Sequence, residues 1–289
     1  MTKRILIQLD GDSHPSSFDS VVAIDAGVDH LLRYHDVQVT NVVPIVHGAM
    51  FTRGGDDLRH TAIFIGGSDV DAAERLLQRC QDAFFGPVRV SLMLDANGCN
   101  TTASAAVVAS SRHINLKDAN AVVLGGTGPV GRRVGQLLAA DGANVTLTSR
   151  TAERAESACK DVQEKLSDQA GSVSPYAVAS VGDTKQVLQA AEIVIGCGAA
   201  GIELAEEATL KSLDSLKVAI DLNAVPPAGL GGISVTDKAA PLGNGVGYGA
   251  IGVGGLKMKT HRAAINALFE TNDRVLDAAE IYALAKSIG

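Results

Sequence analysis

The stretch Ala121-Val122-Val123-Leu124-Gly125-Gly126-Thr127-Gly128-Pro129-Val130-Gly131 runs straight into an amphipathic segment at 132–140. Four apolar residues, a glycine turn and a helical pattern make a strand–turn–helix unit, with Gly126, Gly128 and Gly131 in the G-x-G-x-x-G places of a dinucleotide site. The first glycine permits a tight turn, the second lets backbone approach a pyrophosphate, and the third lets helix pack on strand. Phosphates would then meet the unpaired N–H groups and dipole of the helix N-terminus. Gly126, Thr127, Gly128, Pro129, Val130 and Gly131 are therefore candidate cofactor contacts.

Outward from this unit, strand-like runs alternate with helical patterns along the chain, which predicts an α/β fold with largely parallel sheets. Ahead of the glycine turn the strands fall at 4–9, 61–65 and 88–94 and the helices at 16–26, 68–83 and 100–111, with Ser68 or Asp69 capping the second helix. Behind it, strands are expected at 145–148, 175–179, 193–196 and 218–221, and a helix at 152–166. The glycine-dense segments 229–232 and 252–255 read as loops beside a ligand, and helices at 256–270 and 277–287 close the chain. The short polar run at 115–118 marks a boundary. One domain is expected at 1–114, joined by the C-terminal helices of 256–289, and a Rossmann domain at 115–255.

An NAD site usually carries a carboxylate about 20 residues past the glycine turn, at the tip of the next strand. Here that tip reads Ser149-Arg150-Thr151, with Arg154 one turn further on. A guanidinium and hydroxyls suit a ribose 2′-phosphate. Ser149, Arg150 and Arg154 thus point to NADP, with NAD as a poorer substitute. Cys197 and Asn223 are counted with the cofactor contacts.

The chain has 46 % hydrophobic and 20 % charged residues, a globular balance. A net charge of −7, 3 % aromatics and no Trp speak against a nucleic-acid partner. No apolar run approaches the roughly 20 residues of a membrane span. The first seven residues carry Lys3 and Arg4 but lack the apolar core of a signal peptide, so a cytoplasmic location is expected. Cys80, Cys99, Cys159 and Cys197 are scattered, with no ligand-pair spacing, so no metal is expected.

Three further segments carry chemistry. Leu94-Asp95-Ala96-Asn97-Gly98-Cys99-Asn100-Thr101-Thr102 takes a strand end into a helix, the place where α/β sheets hold ligands. Asp10 to Asp19 follows another strand. In Lys257-Met258-Lys259-Thr260-His261 the i, i+4 spacing puts Lys257 and His261 on one helical face.

Phe51-Thr52-Arg53-Gly54-Gly55, Thr61-Ala62-Ile63-Phe64-Ile65-Gly66-Gly67, Phe84-Phe85-Gly86-Pro87, the glycine turn, Asn223-Ala224 before Pro226-Pro227, and Gly254-Gly255-Leu256-Lys257-Met258-Lys259 together resemble the bacterial NAD(P)-dependent methylene-tetrahydromethanopterin dehydrogenases, over essentially the whole chain. The resemblance implies a pterin-binding α/β domain and a Rossmann domain, with the active site in the cleft between them. It also implies hydride transfer from a methylene bridge on tetrahydromethanopterin to NADP in one-carbon metabolism, and a homo-oligomer. The family's active-site Phe, Thr, Lys and His fall on Phe18, Thr102, Lys257 and His261, while Asp95, Asn97 and Asn100 are expected at the substrate. Thr151 departs from the pattern, since a second basic residue commonly follows the Arg.

Oxidising methylene to methenyl moves a hydride and no proton at carbon, so no general base is needed there. A cation beside a developing cationic product is unfavourable. Lys257 and His261 are therefore expected to orient the pterin from the side, or Lys257 to be held neutral at a helix N-terminus. Two other readings compete: a methylene-tetrahydrofolate dehydrogenase, which would generally carry Tyr-x-x-x-Lys in its substrate domain, and a redox sensor that binds NADP without turnover.

Overall fold

The computed structural model describes residues 2–168 and 170–289. The chain divides into two compact units, one of residues 1–101 with 258–288 and one of 102–257.

In the first unit β1 (Ile5–Leu9), α1 (Ser17–Asp25), β2 (His30–Tyr34), α2 (Val43–Phe51), β3 (Thr61–Ile65), α3 (Val70–Asp82) and β4 (Ser91–Leu94) alternate, and α4 (Cys99–Ser111) leaves towards the second unit. With β12 (Val275–Leu276), which pairs with β4, they make a wholly parallel sheet in the order β2-β1-β3-β4-β12. The apolar run of β3 is buried throughout, as a central parallel strand requires. α3 buries Val70, Ala73, Leu76, Leu77 and Cys80 at helical spacing, and Asp69 caps it by accepting from the Ala72 N–H at 2.9 Å. Leu6, Phe64, Met93, Ile265 and Leu268 meet in this unit's core; each such side chain contributes roughly 1.5–3 kcal/mol on burial.

The second unit opens with β5 (Asn120–Leu124), α5 (Pro129–Ala140), β6 (Asn144–Ser149), α6 (Ala152–Gln163) and β7 (Val173–Ala177). It continues through α7 (Val181–Leu188), β8 (Ile193–Gly196), α8 (Glu207–Lys211) and β9 (Val218–Asp221) to the hairpin β10 (Lys238–Leu242) and β11 (Gly245–Tyr248). The sheet order β7-β6-β5-β8-β9-β11-β10 is that of a Rossmann fold with an antiparallel strand added at one edge. α9 (Ala250–Ala267) then returns to the first unit, where α10 (Ala278–Ile288) ends the fold.

Several elements differ from the expectation. β2, α2, the β10–β11 hairpin and β12 carry little periodic signal: β2 is an exposed edge, and Pro241 stands in an edge strand where its missing N–H does no harm. The division between units falls inside α4, ahead of the polar run at 115–118, because a helix can cross a boundary that composition marks only at its end. Residues 252–255 are helical rather than looped. Gly252 sits where a Cβ would lie 1.7 Å from the Asp237 carbonyl oxygen, so close packing explains that glycine. Because α9 starts at Ala250, Lys257 stands two turns inside the helix. The terminal dipole fades within the first turn, so that helix end does not act on Lys257.

Candidate active site

The second unit holds a groove at the carboxyl ends of β5, β6 and β8, on the switch point between β5 and β8 where ligands bind in such sheets. The glycine turn forms its floor. Gly125, with φ 67°, is the left-handed residue of the turn, a part expected of Gly126. A Cβ on Gly125 would stand 2.7 Å from Gly198 Cα, and one on Gly131 would stand 2.6 Å from Gly126 Cα. Gly128 differs: no protein atom lies within 4 Å of its Cβ position. It caps α5 without any side-chain hydrogen bond, so that helix N-terminus stays open to a pyrophosphate. We expect Gly131→Ala to cost about 1–3 kcal/mol through overpacking and to raise the dissociation constant of the dinucleotide, read by calorimetric titration. Unaltered affinity would separate the turn from cofactor binding.

Ser149, Arg150 and Arg154 line one wall of the groove, with Thr127, Gly128 and Cys197. Both arginines are exposed and make no ion pair among the described residues. Thr148 went unrecognised in the sequence, yet it ties the turn to β6: its Oγ1 accepts from the Gly125 N–H at 3.1 Å and its carbonyl from the Gly126 N–H at 3.0 Å. Residues of 178–184 and 198–204 line the groove as well, segments that only topology brings here.

Asn223, expected at the cofactor, braces its own loop: its amide donates to the Pro227 carbonyl at 3.0 Å and its Oδ1 accepts from the Val225 N–H at 2.9 Å. Asp221 anchors the same loop by accepting from the N–H groups of Asn223, Gly229 and Leu230, and burial pushes its carboxyl up nonetheless. The Cys197 thiol is pushed up to about 12, mainly by burial and further by the Asp221 carboxylate, so it stays protonated at neutral pH.

In the first unit, Asp95 at the end of β4 is the organising residue. It is fully buried, and its Oδ1 accepts from the N–H groups of Asn100 and Thr101 at 2.9 and 3.0 Å. Its Oδ2 accepts from Thr101 Oγ1 at 2.6 Å and lies 3.9 Å from His261 Nδ1. Asn100, also fully buried, donates to the Leu94 carbonyl at 2.6 Å and to Asp277 at 2.9 Å. Both are expected at the substrate; the hydrogen bonds they make within the chain fix the first turn of α4, and with it the half-buried Thr102. Asn97 is exposed, in a left-handed conformation, with its N–H donated to the Gly67 carbonyl at 2.7 Å.

The expected catalytic set separates in the same way. Phe18 is 49 % exposed, and its ring centroid lies 6.4 Å from that of His261. His261 itself is fully buried and stacks on Phe64 at 5.6 Å. Lys257, one turn earlier on α9, keeps exposed surface. Among the described residues no group of three or more His, Cys, Asp or Glu side chains is placed to hold a metal. No helix among them is long and apolar enough to cross a membrane.

Residues 17–97 match the family model described as methylene-tetrahydromethanopterin dehydrogenase, N-terminal. Across its full length the chain is 43 % identical to "Bifunctional protein MdtA" of Methylorubrum extorquens, also over that protein's full length. It is 32 % identical to the "NAD(P)-dependent methylenetetrahydromethanopterin dehydrogenase" of the same organism, over 100 % of this chain and 99 % of that one. The chain belongs to the methylene-tetrahydromethanopterin dehydrogenase family.

Among solved structures, this family member resembles quinate dehydrogenase from Corynebacterium glutamicum, solved with NAD, at a TM-score of 0.57 and 15 % identity over 99 % of both chains. It also resembles 5-ketofructose reductase of Gluconobacter sp. at 0.54 and 14 %, again over 99 % of both. At such identities the likeness is one of fold: a dehydrogenase architecture whose substrate chemistry differs from member to member.

Proposed function

We propose that the protein oxidises methylene-tetrahydromethanopterin to the methenyl form with NADP as hydride acceptor, as a cytoplasmic enzyme of one-carbon metabolism. The observation that carries this reading is the groove of the second unit, where an uncapped helix N-terminus behind Gly128 adjoins two guanidiniums without an ion pair among the described residues, in a chain matched end to end by a dehydrogenase named for that pterin. When bound, NADP would supply the hydride acceptor. Gly125 to Gly128 and the first turn of α5 would hold its pyrophosphate, and Ser149, Arg150 and Arg154 would hold the 2′-phosphate.

Phe18, Thr102, Lys257 and His261 position the pterin in this reading. Phe18 offers an aromatic face to a ring, and Thr102, fixed by the Asp95 network, offers a hydroxyl to a polar edge. His261 supports Phe18 and Phe64 from within. Lys257 binds polar substituents of the pterin away from the reacting carbon, where its charge does not oppose the developing cation. Orientation of this kind lowers the barrier by holding reacting atoms about 3–3.5 Å apart.

Single-turnover hydride transfer in Lys257→Met tests the assignment. We expect weaker pterin binding by about tenfold, the worth of one charge-assisted hydrogen bond, with the chemical step little altered. Unchanged pterin affinity removes Lys257 from the site. Because a methylene-tetrahydrofolate dehydrogenase is the competing reading, the folate C1 carrier belongs in the same assay. A homo-oligomer is part of the reading: β2 is an edge strand with Leu32 and Tyr34 exposed, beside Val21 and Ile24 of α1.

A further inference from the structure

The first unit has its own cavity, at the carboxyl ends of β1 and β3. In the order β2-β1-β3-β4-β12 the connection from β1 leads one way, to β2, and that from β3 leads the other way, to β4. The two loops therefore part and leave the crevice in which open α/β sheets take ligands. Gly11, Gly67, Val39 and Leu76 line it, and its polar side chains are Asp12, Gln38, Asp69 and Arg75.

The two lining carboxylates have their hydrogen bonds within the chain. Asp12 accepts from the Ser68 N–H at 3.0 Å and from Ser68 Oγ at 2.8 Å, and Asp69 caps α3. Arg75 is exposed, with no ion pair or hydrogen bond among the described residues. The cavity also adjoins the aromatic group already described. Gly66 lines it, and a Cβ on Gly66 would lie 3.1 Å from the Phe64 ring, which stacks on His261. Its volume, about 330 Å³, is at the small end of ligand sites. That suits part of a C1 carrier rather than the whole.

We propose that this crevice is a subsite for the portion of the carrier beyond its pterin ring: the arylamine lies against Val39 and Leu76, and the anionic end reaches Gln38 and Arg75. The proposal rests on the pterin reading and adds a specificity determinant to it. C1-carrying pterins share the ring and its arylamine and differ in the anionic tail that follows, so a guanidinium in the same lining as these apolar residues selects on the tail alone. The tail's anion accepts a charge-assisted hydrogen bond that a truncated carrier cannot offer.

The test compares the intact methylene carrier with the same carrier cut back after its arylamine, which keeps the C1 bridge and loses the anion. For wild type, kcat/KM favours the intact carrier. In Arg75→Glu that preference falls at least about tenfold, the order expected for one charged hydrogen bond, with the loss in the KM of the intact carrier. Arg75→Lys recovers part of it. Ala72→Phe, which fills the crevice from α3, weakens binding of both carriers. An unchanged preference in Arg75→Glu, with wild type active, overturns the subsite and leaves the pterin reading standing. Absence of hydride transfer from either carrier in wild type overturns both.

Discussion

Asp95→Ala is expected to destabilise the protein by about 3–5 kcal/mol, the range for removing one partner of a buried charged network. The carboxylate is fully buried and serves three donors of the α4 N-terminus, the N–H groups of Asn100 and Thr101 and the Thr101 hydroxyl, with His261 Nδ1 at 3.9 Å. Removing it leaves those donors in an interior where each orphaned group costs roughly 1–3 kcal/mol. Asp95→Asn keeps the volume and one acceptor oxygen, so about half the loss is expected. Urea unfolding followed by circular dichroism measures both, as a lower midpoint at constant slope. A loss below about 1 kcal/mol in Asp95→Ala would falsify the view that this carboxylate holds α4.

Arg150→Ala is the second large effect, and it concerns selectivity rather than stability. Arg150 is exposed at the tip of β6, so its removal disturbs no core. Its guanidinium is unpaired among the described residues and borders the groove with Ser149 and Arg154. A charge-assisted contact to the 2′-phosphate contributes about 1.5–3 kcal/mol, or about ten- to hundredfold in kcat/KM for NADP relative to NAD. NAD has no such phosphate, so its own kcat/KM is expected to stay near the wild-type value. Arg154→Ala is expected to do less alone and to add to Arg150→Ala in the double variant. Equal NADP-to-NAD ratios in wild type and Arg150→Ala sink the 2′-phosphate role.

The cofactor side was readable in the sequence because its signals are local. A glycine whose Cβ would stand 2.6 Å from another backbone, as Gly131's would, leaves a mark that no other residue can leave. Arg150 stands at a strand tip whose position follows from strand length alone. The first unit is different, because its residues are interpretable only through partners far along the chain. Asn100 is bound to Asp277, and His261 meets Asp95 and Phe64. Nothing in the run 95–102 distinguishes a carboxylate that meets substrate from one that caps a buried helix. Likewise Gly252 and Gly254 read as loop by composition, yet tertiary packing against the Asp237 carbonyl holds the first of them in α9.

By itself the sequence determined the α/β class, the dinucleotide turn, the acid-free tip of β6 and membership in a dehydrogenase family, since each rests on residue type at fixed spacing. Only the tertiary structure decided that Asp95, Asn100 and His261 are interior supports while Phe18, Arg150 and Arg154 face outward. It also decided that the β1–β3 crevice carries Arg75. The physical reason is that burial and hydrogen-bond pairing are properties of long-range contacts, and strand order, which sets where a crevice opens, leaves no imprint on any single stretch of chain.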